Sequence, residues 1–251
     1  MLTKNQIVSD VESKLYTVKI AKSKEEVDAA LRLRYRVFKE ELERDFQFSD
    51  EKDHNEYDDQ SHHLIVVNNE SDEIVGTYRL QTFEQARNGN GFASNKRFHL
   101  EQFPEDVLKN AVEVGRACIR REHRSGRVLF LLWKGFAMYL TYFKKQYLFG
   151  YAALDTSDPV EALNIHQHLK EKGFLHPRYL IDAREEYRID HLLKIRETNE
   201  VEIPPLFQNY LDVGSTVCSA PSLDKKLRLA HCLILLDIEN ISDRTKKMFF
   251  G

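Results

Sequence analysis

The stretch that most constrains this chain runs from Glu113 to Phe143. Glu113-Val-Gly-Arg-Ala-Cys-Ile119 is β-prone and carries one acid and one arginine. Arg120-Arg-Glu-His-Arg-Ser-Gly-Arg127 is basic and contains a glycine, and Val128 to Phe143 is a long apolar stretch. Strand, basic loop and helix in that order make an anion-binding layout, because free backbone N–H groups and the helix dipole both favour a phosphate at a helix N-terminus. On a regular strand, alternation would send Glu113 and Arg116 to opposite faces. A β-bulge would bring both to one face, and Gly115 is the residue that tolerates it. The unpaired N–H of a bulged strand would also suit a developing oxyanion. Glu113, Gly115 and Arg116 are therefore the candidate catalytic residues.

The 251 residues, 42% of them hydrophobic, suffice for one large core or two closely packed lobes. A net charge of −3 excludes a dedicated nucleic-acid protein. Local charge is uneven. Residues 45–59 hold seven acids and residues 116–127 hold five arginines against Glu122. Each run is either a solvated face or a functional rim, acidic for a cationic amine and basic for a phosphorylated donor. Cys118, Cys218 and Cys232 show no CxxC spacing, which points to a reducing compartment without disulfides. Cys118 reads as a small buried filler, since no neighbouring histidine activates it. The N-terminus carries no apolar signal-like region. The longest uncharged apolar run, Val128 to Trp133, is six residues, against the ~20 needed to span a bilayer. Ten histidines raise the question of a metal. His166 and His168 diverge on a helix, His62 and His63 point to opposite strand faces, and no HExxH pattern exists, so no metal site is expected.

Along the chain, Leu15 to Ala21 alternates like an opening strand. Ser23-Lys-Glu-Glu26 is a capping box. Behind it Val27, Leu31, Tyr35, Phe38 and Leu42 form an apolar helical stripe with Arg34 close to it. His63–Val67 and Ile74–Leu80 read as a hairpin. Residues 84–97 read as a loop, Phe103 to Asn110 as a short helix, and Glu113–Ile119 as the central strand. The following helix spans Gly126–Lys145 and the next strand Tyr147–Leu154. A helix over Pro159–Lys172 ends at Gly173. Arg188–Glu200 reads as charged and exposed, Pro204-Pro205 as a helix start, and Ala230–Ile238 as a final apolar strand. Interleaved strands and helices imply an α/β sandwich.

Several segments together carry a family resemblance. They are Leu33-Arg-Tyr-Arg-Val-Phe38, Tyr57-Asp58 with His63-Leu-Ile-Val66, Val75-Gly-Thr-Tyr-Arg-Leu80, Glu113-Val-Gly-Arg116, Leu132-Trp-Lys-Gly-Phe136, Ile203-Pro-Pro-Leu-Phe207, Tyr210-Leu211 and Asp224 to Leu236. Their order resembles the GNAT-type N-acyltransferases that use acyl carrier protein, in the ornithine-lipid branch, with acyl-homoserine-lactone synthases as more distant relatives. The resemblance spans roughly residues 15–240. It implies a GNAT-like mixed sheet flanked by helices, in a single domain over residues 1–251. The core would be 15–180, with 181–251 a C-terminal extension packed on it.

The implied reaction moves a fatty or 3-hydroxy fatty acyl group from acyl carrier protein to the amine of ornithine or a small amino acid, an early step in amino-acid lipid synthesis. Such chemistry needs a base for the amine, an N–H for the thioester oxygen and a cradle for the donor's phosphate. Glu113 is the candidate base, or else only an ion-pair partner of Arg116. Arg116 would orient Glu113 or bind the acceptor's carboxylate. Asp58, Arg79 and Arg34 carry over as acceptor-binding residues, Arg34 having a surface arginine as its bland reading. Arg121, Arg124, Ser125, Gly126 and Arg127 are the donor-binding candidates. The family's Gln/Arg-x-x-Gly-x-Gly/Ala loop becomes His123-Arg-Ser-Gly126-Arg-Val128 here. That departure loosens a coenzyme A pyrophosphate cradle and suits a single phosphate, as on a carrier protein, with acyl-CoA as a second donor.

Two other readings stand beside this one. An acyl-homoserine-lactone-type synthase would share Arg34, Phe38, Arg79, Glu113 and Arg116, but would carry a tryptophan where this chain has Glu40-Glu-Leu-Glu-Arg44. A non-catalytic acyl-binding module of the same fold is the other. No bound cofactor is expected, and a lyso-lipid O-acyltransferase would act downstream. The tail Arg244-Thr-Lys-Lys-Met-Phe-Phe-Gly251 would either fold its phenylalanines onto the core or give a weak, salt-sensitive contact at the inner membrane of an otherwise cytoplasmic protein.

Overall fold

A computed structural model describes residues 11–41, 50–189 and 201–251. The expectations on Leu42, on Asp45 and on residues 190–200 lie outside the described residues. The chain divides into two compact units. One comprises residues 1–90, 114–145 and 247–251, the other residues 91–113 and 146–246.

In the first unit, strands β1 (Val11–Glu12), β2 (Tyr16–Ile20), β3 (His62–Asn68) and β4 (Ile74–Thr82) pair antiparallel in sequence order. Strand β2 buries Tyr16, Val18 and Ile20 and leaves Thr17 and Lys19 half-exposed, the alternation that one-sided burial demands. Helix α1 (Lys24–Tyr35) opens on Ser23, whose hydroxyl accepts from Glu26 N at 3.3 Å. The return bond differs from a full capping box, since Glu26 Oε2 accepts from Lys22 N at 2.6 Å. The helix then widens to a π form over Arg36–Glu41, a change of pitch frequent near functional sites.

Helix α4 (Arg127–Phe143) buries Val128, Leu131, Leu132, Phe136, Tyr139 and Leu140. Two glycines set how closely it lies on the sheet. A Cβ on Gly135 would come within 2.7 Å of the Leu64 side chain, and one on Gly76 within 2.6 Å of Val128 Cγ1. Phe136 meets Tyr78 edge-on at 4.8 Å between ring centroids. On the outer side Phe249 packs against Trp133 and Phe130, at 5.5 and 5.6 Å. Phe249 thus does fold back, while Met248 and Phe250 stay exposed.

In the second unit, Ala111–Glu113 of β5 (Ala111–Ile119) run parallel to Tyr147–Phe149 of β6 (Tyr147–Ala153). Strand β6 pairs antiparallel along its whole length with β9 (Leu229–Asp237), which also takes β7 (Thr216–Val217) and β8 (Ser222–Asp224). A strand of the 181–251 segment is therefore part of the sheet. Helices α3 (Glu105–Lys109), α5 (Pro159–Glu171) and α6 (Pro205–Asp212) belong to this unit. Helix α7 (Asp243–Phe249) closes the chain. A mixed sheet with helices is the α/β architecture expected.

One expectation fails. Residues 84–97 are not a plain loop: they hold α2 (Phe83–Asn88) and a 3-10 turn over Ala93–Lys96. Helix α2 carries a complete capping box, with Thr82 Oγ1 accepting from Gln85 N and Gln85 Oε1 from Thr82 N. The polar composition hid this cap.

Candidate active site

Arg34 is a helical residue on the inner side of α1 and is 0% exposed. Its bland reading as a surface arginine is thereby corrected: the side chain is inside because two acids meet it there. Nε donates to Asp53 Oδ2 at 2.8 Å, Nη1 to Asp58 Oδ1 at 2.6 Å and Nη2 to Asp58 Oδ2 at 3.3 Å. The last two make a fork on one carboxylate, the geometry a guanidinium supplies best. Asp58 is fixed locally as well. Its Oδ2 accepts from Asn55 N at 2.8 Å, closing a turn of the 55–58 segment.

Arg79 stands directly opposite His63 on β4 and β3. Its Nη1 donates to Asn55 Oδ1 at 2.8 Å and lies 3.5 Å from Asp58 Oδ1, while the guanidinium sits 5.4 Å from the centre of the Tyr57 ring. Arg116 joins the group through Asp53, with Nε 3.6 Å from Oδ2. Among the described residues, three guanidinium groups thus meet the carboxylates of Asp53 and Asp58. Arg34, Arg79 and Asp58 were expected to serve one site, and the structure brings them into one network with Arg116.

Burial disfavours the Asp58 carboxylate, but Arg34 and then Arg79 outweigh it and hold the acid well below the usual range. Burial likewise disfavours the Arg34 cation, and Asp53 and Asp58 overcome it, so its proton is held more tightly than usual. His63 is buried beside them and lies 3.3 Å from the Asp58 carbonyl through Nε2, as its donor. Burial first, and the Arg34 charge second, push its pKa down to about 4. It is neutral near pH 7. Side-chain exposure rises from 0% at Arg34 to 6% at Arg79 and 23% at Arg116, so Arg116 is where the network meets solvent.

Arg116 also carries the backbone irregularity of β5, with φ at 56°. Left-handed geometry on a non-glycine residue inside a strand is strained. The left-handed backbone falls on Arg116 and not on Gly115, where the sequence placed the tolerance for a bulge. Gly115 itself has ordinary φ, and a Cβ there would touch nothing within 4 Å.

Glu113 is buried, and both its oxygens are engaged. They accept from Ala93 N at 2.9 Å and Ser94 N at 2.6 Å. The 93–96 turn has no side-chain cap from its own N-cap residue, Phe92. Glu113 supplies from β5 what local sequence does not. The carboxylate expected as a base is thus also an anchor.

The donor-binding candidates lie together. Arg121, Arg124, Ser125, Gly126 and Arg127 are all exposed, along a 3-10 turn (Arg121–His123) and the first residue of α4. Gly126 is the N-cap, with φ at 85° and no side-chain cap bond, a conformation that favours glycine. Arg124 Nε donates to Ile119 O at 2.9 Å and Arg120 N to Val75 O at 2.9 Å, tying the loop down at its root.

Cys118 is buried against Leu33, Val37 and Phe38, as a filler would be. Among the described residues no group of histidines, cysteines and acids has a metal-holding arrangement. Sequence reasoning missed Asp53 and His63 as members of the network. Their signal is three-dimensional: Asp53 meets Arg34 nineteen positions away, and nothing in spacing marks it among seven neighbouring acids.

Comparison with known proteins adds three findings. A family profile described as "Acetyltransferase (GNAT) domain" matches residues 33–134. The L-ornithine N(alpha)-acyltransferase of Rhizobium meliloti (strain 1021) is 30% identical over 242 residues, covering 90% of this chain and 81% of that protein. Among solved structures, FeeM, an N-acyl amino acid synthase from uncultured soil microbes, aligns at a TM-score of 0.53 and 13% identity, over 94% of this chain and 99% of its own. The AHL synthase LasI aligns at 0.52 and 12%, over 94% and 95%. At such identities the structural likeness speaks for the fold.

Proposed function

The chain belongs to the family of the L-ornithine N(alpha)-acyltransferases, and on that premise we propose that it acylates the amine of ornithine, or of a small amino acid, with a fatty or 3-hydroxy fatty acyl group from acyl carrier protein. It is an N-acyltransferase of GNAT fold that uses an acyl thioester. The observation that carries the acceptor is the Arg34–Asp53–Asp58–Arg79–Arg116 network, which reaches solvent at Arg116. A half-exposed guanidinium whose neighbours already hold its orientation suits the α-carboxylate of an amino acid, bound in a fork. Arg79 and Arg34 with Asp58 support Arg116 from behind.

In the reaction the amine nitrogen attacks the thioester carbonyl carbon. The C–N bond forms, the C–S bond breaks, and the thiol leaves on the phosphopantetheine arm. The amine must shed a proton. Glu113 carries over from the family resemblance as the acceptor of that proton, and a carboxylate with two N–H partners keeps lone pairs for a third. Gly115 and Arg116, where β5 departs from regular geometry, are the proposed source of an N–H for the oxyanion. The donor's phosphate is assigned to Arg121, Arg124, Ser125, Gly126 and Arg127, whose exposed charge also complements an acidic carrier protein.

Among the described residues no helix is long and apolar enough to cross a membrane. A cytoplasmic enzyme with a weak peripheral contact, through Met248 and Phe250, and a lyso-lipid O-acyltransferase acting on its product complete the proposal. The test is a purified assay read by mass spectrometry, with one acyl group on carrier protein or on coenzyme A and with L-ornithine or glycine as acceptor. An N-acyl amino acid should form, faster from the carrier protein, and that preference should shrink as salt screens charges beyond about 10 Å at 0.1 M. If no amino acid is acylated from either donor, the assignment fails. Equal kcat/KM for the two donors at every salt concentration would remove the carrier protein from it.

A further inference from the structure

We propose that Tyr16 is a positioning residue for the acyl donor: its hydroxyl fixes the ring of His123 in the tautomer whose Nε2–H binds the donor's phosphate. The inference deepens, and rests on, the assignment of that phosphate to the 121–127 loop. Tyr16 OH and His123 Nδ1 are 2.8 Å apart. The rings meet edge-on, at 85° and 5.7 Å between centroids, so the contact is a directed hydrogen bond rather than a stack.

Neutral imidazole has one N–H and one lone pair, and the bond made at one nitrogen decides the other. The Tyr16 hydroxyl can donate to Nδ1 or accept from it; in the proposed arrangement it donates, so Nε2 carries the proton and can donate. The opposite tautomer would leave Nε2 an acceptor, which a phosphate oxygen cannot use. Tyr16 is well placed to hold this choice. It is buried on β2, which pairs with β3 from Tyr16↔Asn68 to Ile20↔Leu64, and its backbone N–H donates to Ser13 Oγ at 3.0 Å. His123 is half-exposed and ends the 3-10 turn that leads into Gly126. The one acid of that turn, Glu122, is engaged by Arg120, 3.2 Å away, whose Nη1 also reaches Glu73 at 2.6 Å.

The experiment uses the whole chain, with phosphopantetheine and pantetheine as probes, followed by calorimetry and by steady-state kinetics with the acylated forms of both. The wild type should bind phosphopantetheine more tightly. Tyr16→Phe should lose about threefold to tenfold of that affinity, the size of one neutral hydrogen bond. Its affinity for pantetheine and its kcat should stay unchanged. In His123→Gln the side-chain amide has an N–H whatever Tyr16 does, so affinity should be kept and adding Tyr16→Phe should cost nothing more. An unchanged affinity in Tyr16→Phe overturns the proposal, as does an equal loss for both probes, or a full further loss in the double variant. A wild type that does not distinguish the two probes removes the phosphate assignment of the loop, and the inference with it.

Discussion

A guanidinium at 0% exposure is stable only while its two carboxylates stay charged beside it. Arg34→Met would leave Asp53 and Asp58 buried with one fewer cation. We expect it to cost about 3–5 kcal/mol, measured as a drop in denaturation midpoint; a change below 1 kcal/mol would mean that Arg79 and Arg116 suffice. Glu113 separates an anchor from a base. In Glu113→Gln an amide N–H₂ replaces one oxygen that now accepts from Ala93 or Ser94. An anchor alone predicts about 1–3 kcal/mol of lost stability, with activity changed less than tenfold. A base predicts about 10²-fold less acyl transfer. We expect both signatures in the one variant, and turnover near wild type at neutral pH would leave Glu113 the anchor only. At this scale the sequence disclosed the residue types but not their pairings. Arg34, Asp58, Arg79 and Arg116 stand out in the chain as motif positions. That Asp53 joins them, and that Glu113 caps a turn twenty positions earlier, depends on contacts that no local pattern encodes.

Helix α4 shows what a residue without a side chain does for packing. With Leu64 only 2.7 Å from where a Cβ of Gly135 would stand, Gly135→Ala forces a buried leucine off its position. We expect about 1–3 kcal/mol of destabilisation by thermal or denaturant unfolding. An unchanged midpoint would show that α4 shifts outward freely. The elements with strong local signals were legible: α4 from its apolar run, β3 and β4 from two apolar runs joined by a polar turn, α5 from Pro159 and Gly173. The elements that were not legible lack a period of their own. Strands β7 and β8 are two and three residues long and exist because β9 offers them an edge. The π segment over Arg36–Glu41 continues a helical stripe and differs only in pitch. Helix α2 was readable from Thr82 and Gln85, and was lost to the polar residues that follow.

For the whole molecule, histidine burial sets the response to acid. His63 falls from 6.5 to about 4 on folding, so between those values the unfolded chain binds the proton and the folded one does not. Stability from His63 is complete above pH 6.5 and is lost as the pH falls towards 4, on the order of 3 kcal/mol for that residue. Burial lowers His62, His166 and His176 in the same direction. Asp58 acts lower on the scale. Its folded value lies below its unfolded one, so its contribution persists through this window and is lost only as the pH falls through the folded value. We expect the unfolding free energy to decline from about pH 6.5 downward, with His63→Asn flattening that decline, by denaturant titration at a series of pH values. A flat profile from pH 7 to 5 would contradict it. The ring contact of Phe249 with Trp133 has an optical consequence. Trp133 is the sole tryptophan of the chain, so its emission is a built-in reporter of whether Phe249 is seated, and a red shift on vesicles or carrier protein would register its departure without any label.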